Sequence, residues 1–279
     1  MKFSALVLSH NDEDCIGRCL RSLRAVPRVV LVDDGSTDGT REVARQFPNV
    51  EVLSHPFKDF ARQRNWALER AFAPGEWVLH LDSDEELTPA LHRELRALRP
   101  PGVAMAYNLR SCTIWRGHPI PRAACEPVYQ TRLARGSFRF VQVGHGQKAP
   151  LELGPLPRLL APYVHHPFDK GLSDWLAKHD RYARMEAEEQ ARGPARQPLS
   201  VALRDPIARR QALKGLLRGL PGAPGLVHAY LLWVRGGFWD GPAGREYCRL
   251  RCLYEHLVAL RVRELARGEG VGEPGRVNF

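Results

Sequence analysis

The sequence predicts an α/β fold: a mostly parallel sheet flanked by helices, with a helical C-terminal region. Three observations carry this. Apolar runs of strand length alternate with helical patterns through the first part of the chain, as in successive strand and crossover-helix units. Two of those runs end in acidic clusters, Asp33-Asp34 after Val29-Val30-Leu31-Val32 and Asp82-Ser83-Asp84 after Trp77-Val78-Leu79-His80-Leu81. After the break Arg192-Gly193-Pro194 the pattern becomes helical and basic.

The elements follow in order. Residues 3–9 read as the first strand. Residues 12–25 read as a helix, with Ile16, Leu20 and Leu23 near one face. A second strand covers 28–33. The polar turn Gly35-Ser36-Thr37-Asp38 starts a helix over 37–47. A short strand at 50–53 precedes a helix over 60–73, whose apolar positions are Ala61, Trp66, Leu68 and Phe72. Residues 76–81 form the fourth strand. Thr88-Pro89 opens a helix through Leu98. Residues 103–114 read as a strand or hairpin, 128–133 and 138–143 as two more strands, and 158–165 as a return toward the same rim. Residues 172–190 form a helix that groups Trp175, Leu176, His179, Tyr182 and Ala183. The last helix covers 244–266. Two regions result: 1–191 as the α/β domain and 192–279 as a helical region facing an acceptor or a membrane.

The chain has 279 residues, 44% of them hydrophobic, enough for one substantial core plus an appendage. It carries 41 Lys and Arg against 31 Asp and Glu, a formal charge of +10. That excess attracts phosphorylated ligands, anionic lipid or nucleic acid without choosing among them. No apolar stretch reaches membrane-spanning length, and the first residues read as a strand rather than a signal peptide. The reading is therefore cytoplasmic. The cysteines at 15, 19, 112, 125, 248 and 252 make no Cys-x-x-Cys and read as free thiols.

In a parallel α/β sheet, ligands lie beyond the carboxyl ends of the strands. Ser9 to Asp12, Asp33-Asp34 and Asp82-Ser83-Asp84 share that rim. Asp82 and Asp84 alternate along an extended segment, so both can face one ion. Magnesium and manganese favour carboxylate, water and phosphate oxygens. Asp33 or Asp34 can accept hydrogen bonds from a ribose or a base. Arg62 and Arg64 open a helix where the macrodipole disfavours cations, so a phosphate is one reason for them and an exposed basic turn the other. His165 could complete a metal shell. The chain has no Gly-x-Gly-x-x-Gly after the first strand, no P-loop and no Gly-x-Ser-x-Gly elbow, which counts against dinucleotide oxidoreductases, P-loop enzymes and triad hydrolases.

Between Arg204 and Arg218 five basic residues accompany an apolar set, and Trp233 and Trp239 follow. Such a helix either lies on an anionic membrane surface or packs with a basic outer face. Nucleic acid is not expected, because aromatic platforms are not interleaved with the bases.

These motifs resemble glycosyltransferase family 2, with the GT-A type of Rossmann-like sheet, and more narrowly its bacterial lipopolysaccharide-core β-glucosyltransferase-like branch. The resemblance rests on Leu8-Ser9-His10-Asn11-Asp12-Glu13, Val32-Asp33-Asp34-Gly35-Ser36, Phe60-Ala61-Arg62-Gln63-Arg64-Asn65 and Leu79-His80-Leu81-Asp82-Ser83-Asp84-Glu85. Later matches are Arg132-Leu133-Ala134-Arg135, Asp174-Trp175-Leu176 and Arg235-Gly236-Gly237-Phe238-Trp239. It implies an inverting, metal-dependent transfer from a nucleotide sugar, a UDP-hexose by family weight, to a glycan or lipid-linked acceptor, with Mg2+ or Mn2+. Ser9, Asn11, Asp33, Asp34, Arg62, Arg64 and Asp82 would bind the donor, with Asp34 on the uridine side and Arg64 near the diphosphate. Asp82, Asp84 and His165 would hold the metal. The branch shows Val-His-Glu where this chain has Gly144-His145-Gly146, so the usual acid is absent. Glu126, His145 and Glu152 are then the base candidates. A sugar-nucleotide hydrolase, a nucleotidyltransferase and a non-catalytic membrane-associated scaffold stand as alternatives.

Overall fold

A computed structural model describes residues 1–143, 146–191 and 222–267. Its main sheet runs in the order β3-β2-β1-β4-β8-β6-β11-β5, with β7 beside β6. The strands are β1 Ser4–Ser9, β2 Val29–Asp33, β3 Val50–Ser54, β4 Trp77–Asp82, β5 Glu85–Glu86, β6 Ala106–Trp115, β7 His118–Pro119, β8 Tyr129–Arg135 and β11 Tyr163–His165. A separate antiparallel pair joins β9 Val141–Val143 to β10 Gly146–Lys148. The first four strands pair in parallel, and β6 pairs in parallel with β11. β8 runs antiparallel to both β4 and β6 and so joins the two parallel halves. The sheet is the mostly parallel GT-A type expected.

Helices α1 Glu13–Ser22, α2 Thr40–Arg45, α3 Phe60–Ala71 and α4 Pro89–Ala97 connect the first strands. Strand alternation divides the core between the two faces of the sheet. Val7, Leu31 and Leu79 pack with Ile16 and Leu20 of α1 and with Leu91 and Leu95 of α4. Leu6, Leu8, Val30 and Val32 pack on the other face with Ala67 and Leu68 of α3. Asp59 caps α3 by accepting from Arg62 N at 2.8 Å, and Thr88 caps α4 by accepting from Leu91 N at 3.1 Å.

Several elements are shorter than expected, two of them for a visible reason. The second helix begins at Thr40, because residues 36–39 form a turn tied to the loop after β1 and the start of α1: Asn11 Oδ1 accepts from Thr37 N at 2.8 Å and Glu13 Oε2 from Gly39 N at 2.9 Å. The strand expected over 138–143 contracts to Val141–Val143. Phe140 instead satisfies its main chain on Asn65 of α3, donating its N–H at 2.8 Å and accepting from Nδ2 at 2.9 Å.

A third core lies beyond β6. Trp115 and Phe168 meet Trp175 and Ala183 of α5 Gly171–Ala191, and Cys248, Tyr254 and Val258 of α7 Gly241–Ala266. Between them, α6 Ala223–Ala229 runs into a π turn, Tyr230–Val234, and a 3-10 turn, Gly237–Asp240. Glycine is required at 237 and 244. A Cβ on Gly237 would stand 2.8 Å from Cys248 Sγ, and one on Gly244 would stand 2.5 Å from Gly237 O. The Arg235-Gly236-Gly237 segment is thus a packing joint that seats α7. The basic stretch from Arg204 to Arg218 lies outside the described residues. Among the described residues no helix is long and apolar enough to cross a membrane.

Candidate active site

Register places the acidic strand ends on one rim. Ser9 pairs with Asp33 across β1 and β2, and Leu8 pairs with Asp82 across β1 and β4. Asp33 and Asp82 therefore stand two strand spacings apart, about 10 Å. Past Asp82 the chain turns into β5, which pairs antiparallel with β11, Glu85 opposite His165. His166 N donates to Asp84 O at 2.9 Å and fixes the main chain there.

The two carboxylates of the Asp82-Ser83-Asp84 turn differ. Asp82 is held on both oxygens: Arg64 Nη2 stands 2.5 Å from Oδ1 and Arg132 Nη2 stands 2.7 Å from Oδ2. Burial alone would raise its carboxyl, but Arg132 and Arg64 outweigh burial and hold it at about 2. Arg132 also pairs with Glu85. Glu85 is fully buried, and that burial, with Asp82 beside it, lifts its carboxyl to about 7 against the pull of Arg132. Asp84 faces a histidine and a lysine instead, with His165 Nε2 at 3.6 Å and Lys178 Nζ at 3.7 Å from Oδ2. Burial opposes ionisation of Asp84, yet Lys178 and His165 carry its carboxyl well below the usual range. Burial acts against the cationic form of His165 and of Lys178, but Asp84 raises both.

Arg64 departs from the expectation of a diphosphate contact. It is fully buried on the face of α3 that turns Ala61, Ala67 and Leu68 to the sheet, and its guanidinium ends on Asp82. Asp82 in turn departs from the expectation of a free metal ligand, because both its oxygens are engaged. Asp33 also turns inward. It is fully buried, accepts from Ser36 N at 3.1 Å and pairs with Arg41 at 2.6 Å, so it organises the β2–α2 turn rather than facing a ribose. Asp34, the next residue along, points outward. Its Oδ1 accepts from Phe57 N at 2.7 Å, while His10 Nδ1 donates to its carbonyl at 2.6 Å. Ser9 is buried, donating to Asp12 Oδ2 at 3.0 Å. Asn11 sits at a positive φ of 51° and receives Thr37 N. Arg62 is exposed and pairs with Asp59 at 3.2 Å.

The base candidates separate as well. Glu126 Oε1 accepts from Thr113 N at 2.5 Å, and Thr113 pairs with His165 on its other side, so Glu126 stands about two strands from His165. Glu152 lies on an exposed 3-10 turn, Leu151–Leu153. His145 lies outside the described residues, between β9 and β10. Arg132, Lys178 and Glu85 were not expected at the site. The signals for them were an arginine directly before the apolar pair Leu133-Ala134 in β8, a lysine one turn from Trp175 on α5, and an acid directly after Asp84.

The donor set suits a magnesium or manganese ion in part. Asp84 offers a carboxylate and His165 an imidazole, while among the described residues no three His, Cys, Asp or Glu side chains converge into a metal cage. Such ions are commonly bound by one or two protein groups plus substrate phosphates and water.

A family model described as Glycosyl transferase family 2 matches residues 4–149, half of the chain. The lipopolysaccharide core biosynthesis glycosyltransferase LpsC of Rhizobium meliloti (strain 1021) is 34% identical over 99 residues, covering 34% of this chain and 36% of that protein. An uncharacterized glycosyltransferase of Rickettsia prowazekii (strain Madrid E) is 27% identical over 141 residues, 49% of this chain and 47% of its own length. The chain thus spans less than half the length of these relatives. Among solved structures, S. aureus TarS 1-349 in complex with UDP-GlcNAc is 17% identical with a TM-score of 0.47, covering 97% of this chain and 93% of that one. The residues matched by the family model hold β1 to β4 with both acidic strand ends, and on that match the chain belongs to glycosyltransferase family 2.

Proposed function

We propose that the protein is an inverting glycosyltransferase that moves a sugar from a UDP-hexose donor to a hydroxyl group of a glycan or lipid-linked acceptor. The observation that carries this reading is the cluster of Asp84, His165 and Lys178 on the carboxyl rim of the sheet, one strand from the β1 end and two from Asp34. Asp34 faces the uridine, with Asn11 and Ser9 shaping the loop beside it. Lys178 faces the diphosphate, and exposed Arg62 can swing toward it. Arg64 and Arg132 act from below by fixing Asp82, which sets the turn that presents Asp84. A divalent cation on Asp84 and His165 would supply charge neutralisation for the departing diphosphate.

In the transfer, the acceptor oxygen forms a bond to the anomeric carbon from the face opposite the diphosphate. The bond from that carbon to the phosphate oxygen breaks, and the nucleoside diphosphate leaves with the electron pair. A base on the acceptor side takes the hydroxyl proton; of Glu126, His145 and Glu152, Glu126 is the one held against β6, on Thr113 N. Lys178 stabilises the charge that grows on the leaving group, where preorganised charge is most effective. The likeness to LpsC, a glycosyltransferase of lipopolysaccharide core biosynthesis, favours an envelope glycan as acceptor. The region from residue 192 onward would face that acceptor or an anionic membrane.

The test is product analysis with UDP-sugars and Mg2+ or Mn2+, for the wild type and Asp84→Ala. A metal-dependent glycoside product, lost in the variant, is expected. Free sugar would indicate a hydrolase, and a new nucleotide diphosphate linkage a nucleotidyltransferase. Equal, metal-independent turnover in both proteins would reject the site.

A further inference from the structure

A cavity of about 220 Å³ lies between the sheet and the two long C-terminal helices, on the far side of His165 from Asp84. Its floor is one face of β6, where Ser111, Thr113 and Trp115 alternate inward, together with Gln130 at the β8 edge. Its roof is Trp175 of α5 with Tyr247 and Arg251 of α7. Ser111 and Thr113 are more than nine-tenths buried, and their hydroxyls, like the Gln130 amide, make no hydrogen bond to any described residue. A hydroxyl at a cavity wall can donate one hydrogen bond and accept two.

The charges around the cavity are already balanced. Arg251 Nη2 is paired with Glu255 at 2.9 Å, His165 with Asp84, and Glu126 accepts the Thr113 N–H. The lining therefore offers aromatic surface and neutral hydrogen-bonding groups rather than a net charge. It is smaller than a typical drug-sized site. Register sets its depth: Thr113 pairs with His165, one strand spacing away, and His165 reaches Asp84.

We propose that this cavity is the acceptor subsite and that it holds a single uncharged pyranose. The ring's C–H surface lies against Trp175 and Tyr247, and its hydroxyls meet Ser111, Thr113 and Gln130. One hydroxyl points past His165 toward the donor. This assignment rests on the glycosyl-transfer reading above. It adds the chemical class of the acceptor unit and the residues that select it.

The experiment is saturation-transfer NMR on the full chain with Mg2+ and UDP present. The probes are the methyl pyranosides of glucose, galactose and mannose and the corresponding uronates. The proteins are the wild type, Thr113→Val with Gln130→Leu, and Gln130→Leu alone. UDP affinity is measured in parallel. At least one neutral pyranoside binds the wild type, the uronates bind it more weakly, and the double variant loses at least about tenfold in pyranoside affinity with UDP affinity unchanged. Gln130 is exposed at the strand edge, so the single variant reports even where the double variant fails to fold, and it loses affinity in the same direction. No neutral pyranoside bound by the wild type, or equal binding to the variants, overturns the assignment. A wild type that binds pyranosides but not UDP would sink the donor reading and with it the acceptor role, leaving only a pyranose site.

Discussion

Arg64 of α3 and Arg132 of β8 grip Asp82 from two sides, one guanidinium on each carboxylate oxygen, at 2.5 and 2.7 Å. Both arginines are buried, and 68 residues of chain separate them, yet they converge on the last residue of β4. The pairing joins a helix and two strands directly under the turn that carries Asp84. Asp82→Asn removes the charge that balances two buried guanidinium groups. Breaking a buried pair on one side costs about 3 kcal/mol or more. Urea unfolding of the variant should show that loss.

Glu126→Gln keeps an oxygen able to accept the Thr113 N–H but cannot take a proton. The turnover number should fall by about a hundredfold or more, with UDP affinity unchanged. A variant that turns over at the wild-type rate would remove Glu126 from the mechanism and return the base to the segment around His145.

Cys248 lies buried against Gly237, and that burial, reinforced by Cys125 and Asp240, pushes its thiol up to about 11 from 9.0. The unfolded chain loses this proton first as pH rises, so the contribution to stability is full below about pH 9 and disappears as pH climbs through 11. Thermal melts from pH 8 to 11 should show a steeper fall for the wild type than for Cys248→Ala. Parallel curves would contradict the burial of this thiol.

The sheet was legible because its first four strands are local apolar runs, each followed by a helix that covers one of its two faces. Asp84 and His165 were legible by position, since strand polarity alone brings both to the carboxyl rim. The roles of the charged residues around them were not. Glu85 continues an acidic run that reads as a solvated turn, and only the pairing of β5 with β11 shows that it is buried. Asp33 and Asp34 are indistinguishable by type, and the pleat alone decides that one faces Arg41 and the other the rim. The cavity roof depends on α7 folding back over β6, with Trp115 Nε1 donating to Glu246 at 3.2 Å across 131 residues. No local pattern encodes such a contact.

The claim on which the rest depends is that Asp34 and Asp84 serve one donor pocket. Isothermal titration of UDP with and without Mn2+ tests it most directly, using the wild type, Asp34→Asn, Asp84→Asn and His165→Ala. UDP should bind the wild type more tightly with Mn2+. Asp84→Asn should abolish that metal enhancement, and His165→Ala should reduce it by about tenfold or more. Asp34→Asn should weaken UDP with or without metal. UDP binding that is unchanged by Mn2+ and equal in all four folded proteins would contradict the shared pocket.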